Sequence, residues 1–231
     1  MNHSIDFGSR KIEFTLVFSE RKTLGISVMP DLKIIVKAPF TSPLENIFEK
    51  IYKKAPWILK QQSYFLSFNP RNTEKRFISG ESHPYLGRQY QLKVILSIRN
   101  TVHYKGRFIE IQTKNKSKTK YLLKEWYREK AKEKFEEFAE PIIHRFKKYQ
   151  VNPAGIYILE MPTRWGSCTP KGKIILNPEL IKAPRGCIEY VIIHELCHLV
   201  HHNHTQKFID LQNKEMPGWE KWKTKLEKFL A

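Results

Sequence analysis

The sequence predicts an α+β fold: a β-rich N-terminal region, residues 1–113, followed by a helical region, residues 114–231, that carries an H-E-x-x-H helix. Three observations predict it. Short alternating apolar runs, bounded by Gly, Pro and Asn, recur as far as residue 113. A helical period then runs from about Lys118 to Tyr149. Finally, His194-Glu195-Leu196-Cys197-His198 lies inside an apolar stretch.

The composition bounds the rest. A chain of 231 residues makes one large domain or two small ones, and 41% hydrophobic with 13% aromatic residues is enough for a core. No apolar run reaches membrane-span length, and Met1 to Arg10 is too polar for a signal peptide, so the expected location is cytoplasmic, with no membrane partner. Cys168, Cys187 and Cys197 are an odd number without an export signal, and free thiols are expected. The net charge of +18 leaves two readings open: a nucleic-acid partner, or a solvated lysine-rich surface. The one dense run, Lys114 to Lys120, reads as a linker.

Taken in order, residues 11–18, 24–29 and 33–37 read as strands, with a turn at Pro30-Asp31 between the last two. Pro43 to Phe68 reads as a helix with Leu44, Ile47, Ile51, Ala55, Ile58 and Phe65 on its stripe; Pro56 should kink or split it. Residues 76–79, 83–87, 90–98, 101–105 and 108–113 read as further strands. His83 and His103 are isolated and read as structural or surface residues. Lys118 to Tyr149 is a long amphipathic helix, in which Pro141 should make a kink or a second start. Residues 155–161 and 173–177 read as strands, joined by a loop that contains Thr163-Arg164-Trp165-Gly166-Ser167-Cys168. Pro217 to Leu230 reads as a packing helix.

The chemistry concentrates at residues 191–204. His194 and His198 are four apart and share one helix face, so both imidazoles can bind one metal ion. Glu195, beside the first of them, can take a proton from an activated water. His204 would lie about 9 Å further along a continuous helix and about 240° round it, out of reach. The helix must therefore stop, with Asn203 as the expected left-handed turning point and Thr205 capping a new helix. His201, His202 and Glu215 are the alternative third ligands. The strands upstream offer an edge that can hold an extended peptide. Arg164, Trp165, His201 and His202 are candidate substrate or transition-state contacts; alternatively, Trp165 is core and Arg164 pairs with Glu179 or Glu195. Cys168 is not needed as a nucleophile beside a metal-activated water.

The sequence resembles the YgjP-like family of zinc metallopeptidases, related to the WLM and SprT-like groups. The resemblance rests on Arg164-Trp165-Gly166-Ser167-Cys168, on Gly172 to Leu180, on Tyr190 to Leu199, and on Asn203-His204 with Phe208 and Met216-Pro217. Weaker matches at Arg21-Lys22-Thr23, Lys37-Ala38-Pro39, Trp57-Ile58, Tyr85 to Tyr90 and Trp126-Tyr127 extend it over about residues 20–227. It implies a zincin-like metallopeptidase domain, one Zn2+ on His194, His198 and His204, Glu195 as catalytic acid/base, and a protein or peptide substrate. Two other functions fit the same residues. One is metal-dependent hydrolysis of a phosphate ester, anhydride or other non-peptide substrate; the other is a nucleic-acid-binding protein with a structural zinc site.

Overall fold

The structure is a computed structural model that describes residues 2–8, 10–29, 32–66, 75–161 and 164–230. Pro30-Asp31, the side chain of Phe65, the helix end at Phe68, and Thr163 lie outside the described residues. The fold is mixed α+β, and the contacts divide the chain into two units, residues 1–73 and 74–230.

The first unit is one sheet under one helix. Its strands are β1 (Asn2–Phe7), β2 (Arg10–Ser19), β3 (Gly25–Val28) and β4 (Ile34–Pro39), in the order β1-β2-β4-β3 with β2 and β4 parallel. Ile12, Phe14, Leu16, Ile34, Val36 and Ala38 alternate onto the inner face. Helix α1 (Leu44–Leu66) covers them with Ile47, Ile51, Ala55 and Ile58. It is not split at Pro56, which faces solvent, because buried Ala55 and Ile58 on either side keep it on the sheet. β1 was not expected, its composition being polar. Yet alternate residues turn inward, with His3 against Phe48 at 5.7 Å and Phe7 against Tyr52 at 5.2 Å.

The second unit begins with β5 (Ser82–Tyr85), β6 (Arg88–Leu96), β7 (Thr101–Lys105) and β8 (Phe108–Thr113), in the order β5-β6-β8-β7. The strand expected at 76–79 is not formed. The backbone N–H groups of Arg76 and Phe77 donate to the Glu81 carboxylate, each at 2.8 Å, and the segment turns. Helix α2 (Thr119–Phe146) follows and passes Pro141 without a break. Then come β9 (Gly155–Ile158), β10 (Gly166–Cys168) and β11 (Lys173–Leu176), in the order β10-β11-β9 with β10 at an edge. Helices α3 (Arg185–Val200), α4 (Gln206–Glu215) and α5 (Trp219–Leu230) complete the unit.

The boundary expected at 113/114 is not where the contacts divide. Tyr85, Leu92, Ile109 and Ile111 share one core with Leu123, Trp126, Ile188 and Leu196. The β5–β6 turn is also bonded to the chain before α3: Leu86 N–H donates to Ile181 O at 2.9 Å and Gly87 N–H to Lys182 O at 3.0 Å. The strand-rich segment 82–113 therefore belongs with the region that carries His194 and His198.

The two units share a pattern. β1-β2-β4-β3 followed by α1 repeats as β5-β6-β8-β7 followed by α2, with the middle pair parallel and the outer pairs antiparallel each time. The registers agree: Ile26 faces Val36 and Val28 faces Ile34, as Val102 faces Ile111 and Tyr104 faces Ile109. The buried helix residues agree too, Ile47, Ile51 and Ala55 in α1 against Leu123, Tyr127 and Ala131 in α2. The chain thus contains an internal structural repeat.

Candidate metal centre

Helix α3 is buried on most sides because Ile188, Val191, Ile192, Ile193, Leu196 and Cys197 surround it with apolar side chains. His194 and His198 emerge on the remaining stripe, their ring centroids 4.9 Å apart. The helix ends at Val200, and His201 is extended (φ −132°, ψ 105°). The reversal is made without a left-handed residue; Asn203 is not in that region, and its carbonyl instead accepts from Thr205 N–H at 2.7 Å. Thr205 holds the N-cap position of α4 without a side-chain cap bond. The turn nevertheless delivers His204, whose ring lies 5.0 Å from that of His194 and 4.6 Å from that of His198.

One nitrogen from each of the three histidines lies within 4.8 Å of the others, and His194 Nε2 and His204 Nε2 are 3.1 Å apart. Tetrahedral coordination at Zn–N distances of about 2.0–2.1 Å requires nitrogens about 3.3 Å apart. The three imidazoles therefore fit a metal ion. Phe208, 2% exposed, packs against all three rings at 4.7–5.1 Å and fixes their spacing.

Partners behind the histidines orient them. His194 Nδ1–H donates to Gln212 Oε1 at 2.8 Å, which leaves Nε2 free for a metal. Burial holds the His198 imidazole below its ordinary value, with the neighbouring backbone of His201 and His202 opposing. Burial pushes the His194 imidazole down to about 4, so it is neutral and ready to ligate at ordinary pH. Glu195 is buried beside the cluster; burial pushes its carboxyl up to about 7, with the Arg164 charge opposing.

The cluster opens into a cleft of about 870 Å³. One wall is β10 with its flanks, Arg164 to Pro170; another is Tyr190 and Val191 of α3; Lys223 and Glu227 of α5 close the far side. β10 approaches α3 so closely that a Cβ on Gly166 would stand 2.6 Å from Glu195 Oε1 and 2.7 Å from Val191 Cγ1. Asn177 supports this wall: its Nδ2 donates to Met161 O at 2.8 Å and Arg164 O at 3.1 Å.

The sequence candidates separate as follows. Arg164 is exposed on the cleft and makes no ion pair with Glu179, which pairs with Lys182 instead, or with Glu195. Trp165 is both: half-buried against the core and part of the cleft wall. His202 opens onto the cleft; His201 does not line it. Glu215 is no ligand. Its carboxylate binds Arg145 Nε and Lys148 Nζ, each at 2.8 Å, and accepts from Tyr149 OH at 2.6 Å. The three cysteines are unpaired, and Cys197 is buried away from the cluster. Sequence reasoning missed Gln212, Phe208, Lys223 and Glu227 as parts of the site. The available signal was the i, i+4 pair Phe208 and Gln212, apolar and amide, directly after the third histidine.

A mixed α+β unit that presents two histidines one helical turn apart, a third from the following turn, and a buried glutamate between them on a cleft is the arrangement of a metal-dependent hydrolase. The chain belongs to the YgjP-like family: the family model, described as a YgjP-like metallopeptidase domain, matches residues 22–229. No curated protein matches the chain, and no solved structure does. Membership brings a function of metallopeptidase type and a metal cofactor, for which the histidine cluster is suited.

Proposed function

We propose that the protein is a zinc-dependent peptidase of the zincin-like kind. His194, His198 and His204 hold the ion, one per chain. Bound zinc supplies Lewis acidity, making water acidic near neutral pH and polarising a carbonyl. Glu195 takes the proton of the attacking water and returns it to the leaving amine nitrogen. Edge strand β10 receives an extended peptide by main-chain hydrogen bonds, alongside Glu195. Arg164 and His202 face the cleft as the available donors for the developing oxyanion. Support comes above all from one observation, the convergence of three histidines on a cleft that also holds a buried carboxylate and a free strand edge. A closed structural zinc site would need a fourth protein ligand, and among the described residues the cluster has three.

The test pairs wild type with Glu195→Gln. Elemental analysis should find about one zinc per chain in both, and only wild type should cleave an unstructured protein such as reduced casein. Equal cleavage by both would sink the role of Glu195. Zinc without cleavage in wild type would turn the search to non-peptide substrates.

A further inference from the structure

The first unit carries a cleft of about 590 Å³ between α1 and the β3 edge, remote in sequence from the metal cluster. Lys50, Lys53, Lys54 and Trp57 line one side at i, i+3, i+4 and i+7, so all four project from one helix face. Lys22 and Thr23 line the other side, above half-buried Leu24, Ile26 and Pro39. Lys53 is paired with Glu49 at 2.5 Å; Lys22, Lys50 and Lys54 form no ion pair with a described residue. Trp57 leaves 43% of its surface exposed.

We propose that this cleft binds single-stranded nucleic acid, with phosphates on Lys22, Lys50 and Lys54 and an unpaired base on the ring of Trp57. Two arguments carry it. The fold does not require these side chains, because the internal repeat repeats the framework without them. Aligned on the buried helix residues, the corresponding positions of α2 are Trp126, Glu129, Lys130 and Glu133. There Trp126 is buried against Tyr85 at 5.0 Å, and Glu133 takes up the charge of Lys130. Moreover, Lys50 and Lys54 repel each other one turn apart, which opposes helix formation until an anion binds.

The second argument is the chemistry of the cleft. A cationic rim over an apolar floor with one exposed indole matches a chain of phosphates bearing flat apolar rings. An acidic peptide offers the charge without the rings, and a duplex keeps its bases stacked inside. Stacking on an aromatic side chain together with lysine–phosphate contacts is how single strands are held without sequence preference. The proposal does not rest on the peptidase reading.

The experiment is fluorescence anisotropy of a short labelled oligothymidylate with the full chain across a salt series. Wild type should bind with affinity falling steeply as salt rises. Lys50→Glu with Lys54→Glu should weaken binding about tenfold or more and flatten the salt slope, each lost phosphate contact being worth about 0.7 in log–log slope. Trp57→Ala should weaken it about tenfold, while Trp57→Phe keeps most of the affinity. Lys114→Glu with Lys116→Glu makes the same charge change on the other basic run and should leave affinity unchanged; circular dichroism confirms the fold of each variant. No binding by wild type, an equal loss in the charge-matched control, or indifference to Trp57→Ala would each overturn the proposal.

Discussion

Gln212 sits 1% exposed behind His194 and does for that imidazole what a fixed carbonyl does in histidine metal sites: it selects the tautomer and stops ring rotation. Gln212→Ala should weaken zinc binding about 10–100-fold in competition with a chromophoric chelator, with the fold intact by circular dichroism. Gly166 is a second single-atom constraint. Gly166→Ala should lower stability by about 1–3 kcal/mol in urea and displace Glu195, because its methyl would occupy the space of that carboxylate and of Val191. The clustering of the three histidines was legible because four-residue spacing on an apolar helix puts both side chains on one face, and because a continuous helix cannot carry His204 to the same side. Arg164 and Trp165 were legible only as a pair of alternatives, since spacing says nothing about which way a loop side chain points. The contribution of His201 is made by its backbone, which no residue type announces.

Elements were read well where one side faced a core and poorly where a tertiary partner decided. Pro56 and Pro141 both lie inside unbroken helices, since apolar packing on either side outweighs one missing N–H. Residues 76–79 have strand composition but are turned by the Glu81 carboxylate, a contact that depends on a side chain two to five residues on. The repeat escaped notice because it survives in strand order and register while the residues differ. At this scale Glu215 is the tie between α4 and the end of α2. Burial raises its pKa, but hydrogen bonds from Lys148 and Tyr149 and the charges of Lys148 and Arg145 outweigh burial and hold it below its ordinary 4.5. A carboxyl depressed in the fold stabilises above its unfolded pKa and loses that contribution as pH falls through the folded value. Glu215→Gln should therefore lower the Tm near neutral pH, and the difference from wild type should shrink as the pH falls below 4.5 in a series of melts.

Across the whole molecule, the two units have separate cores, one built on Ile47, Ile51 and Val36 and the other on Phe135, Phe146 and Ile192. The complete histidine cluster and its cleft belong to the second. A chain shortened to residues 74–231 should fold cooperatively and bind zinc with unchanged affinity while losing oligonucleotide binding; calorimetry and anisotropy would check the two halves of that statement. The sequence announced a large positive charge but not its location, because Lys22 is separated in sequence from Lys50, Lys53 and Lys54 by β3, β4 and the start of α1. No helix among the described residues is long and apolar enough to cross a membrane.

The end of α3 has a further consequence. The chain leaves Val200 through extended His201, with no left-handed residue to lock the reversal, and His204 is the exposed member of the triad. On the proposed reading, an ion gripped there would be held by a clasp: two prongs on a buried helix and the third on a short connection. Ion exchange would then be expected to run through residues 201–205 and leave the helix standing.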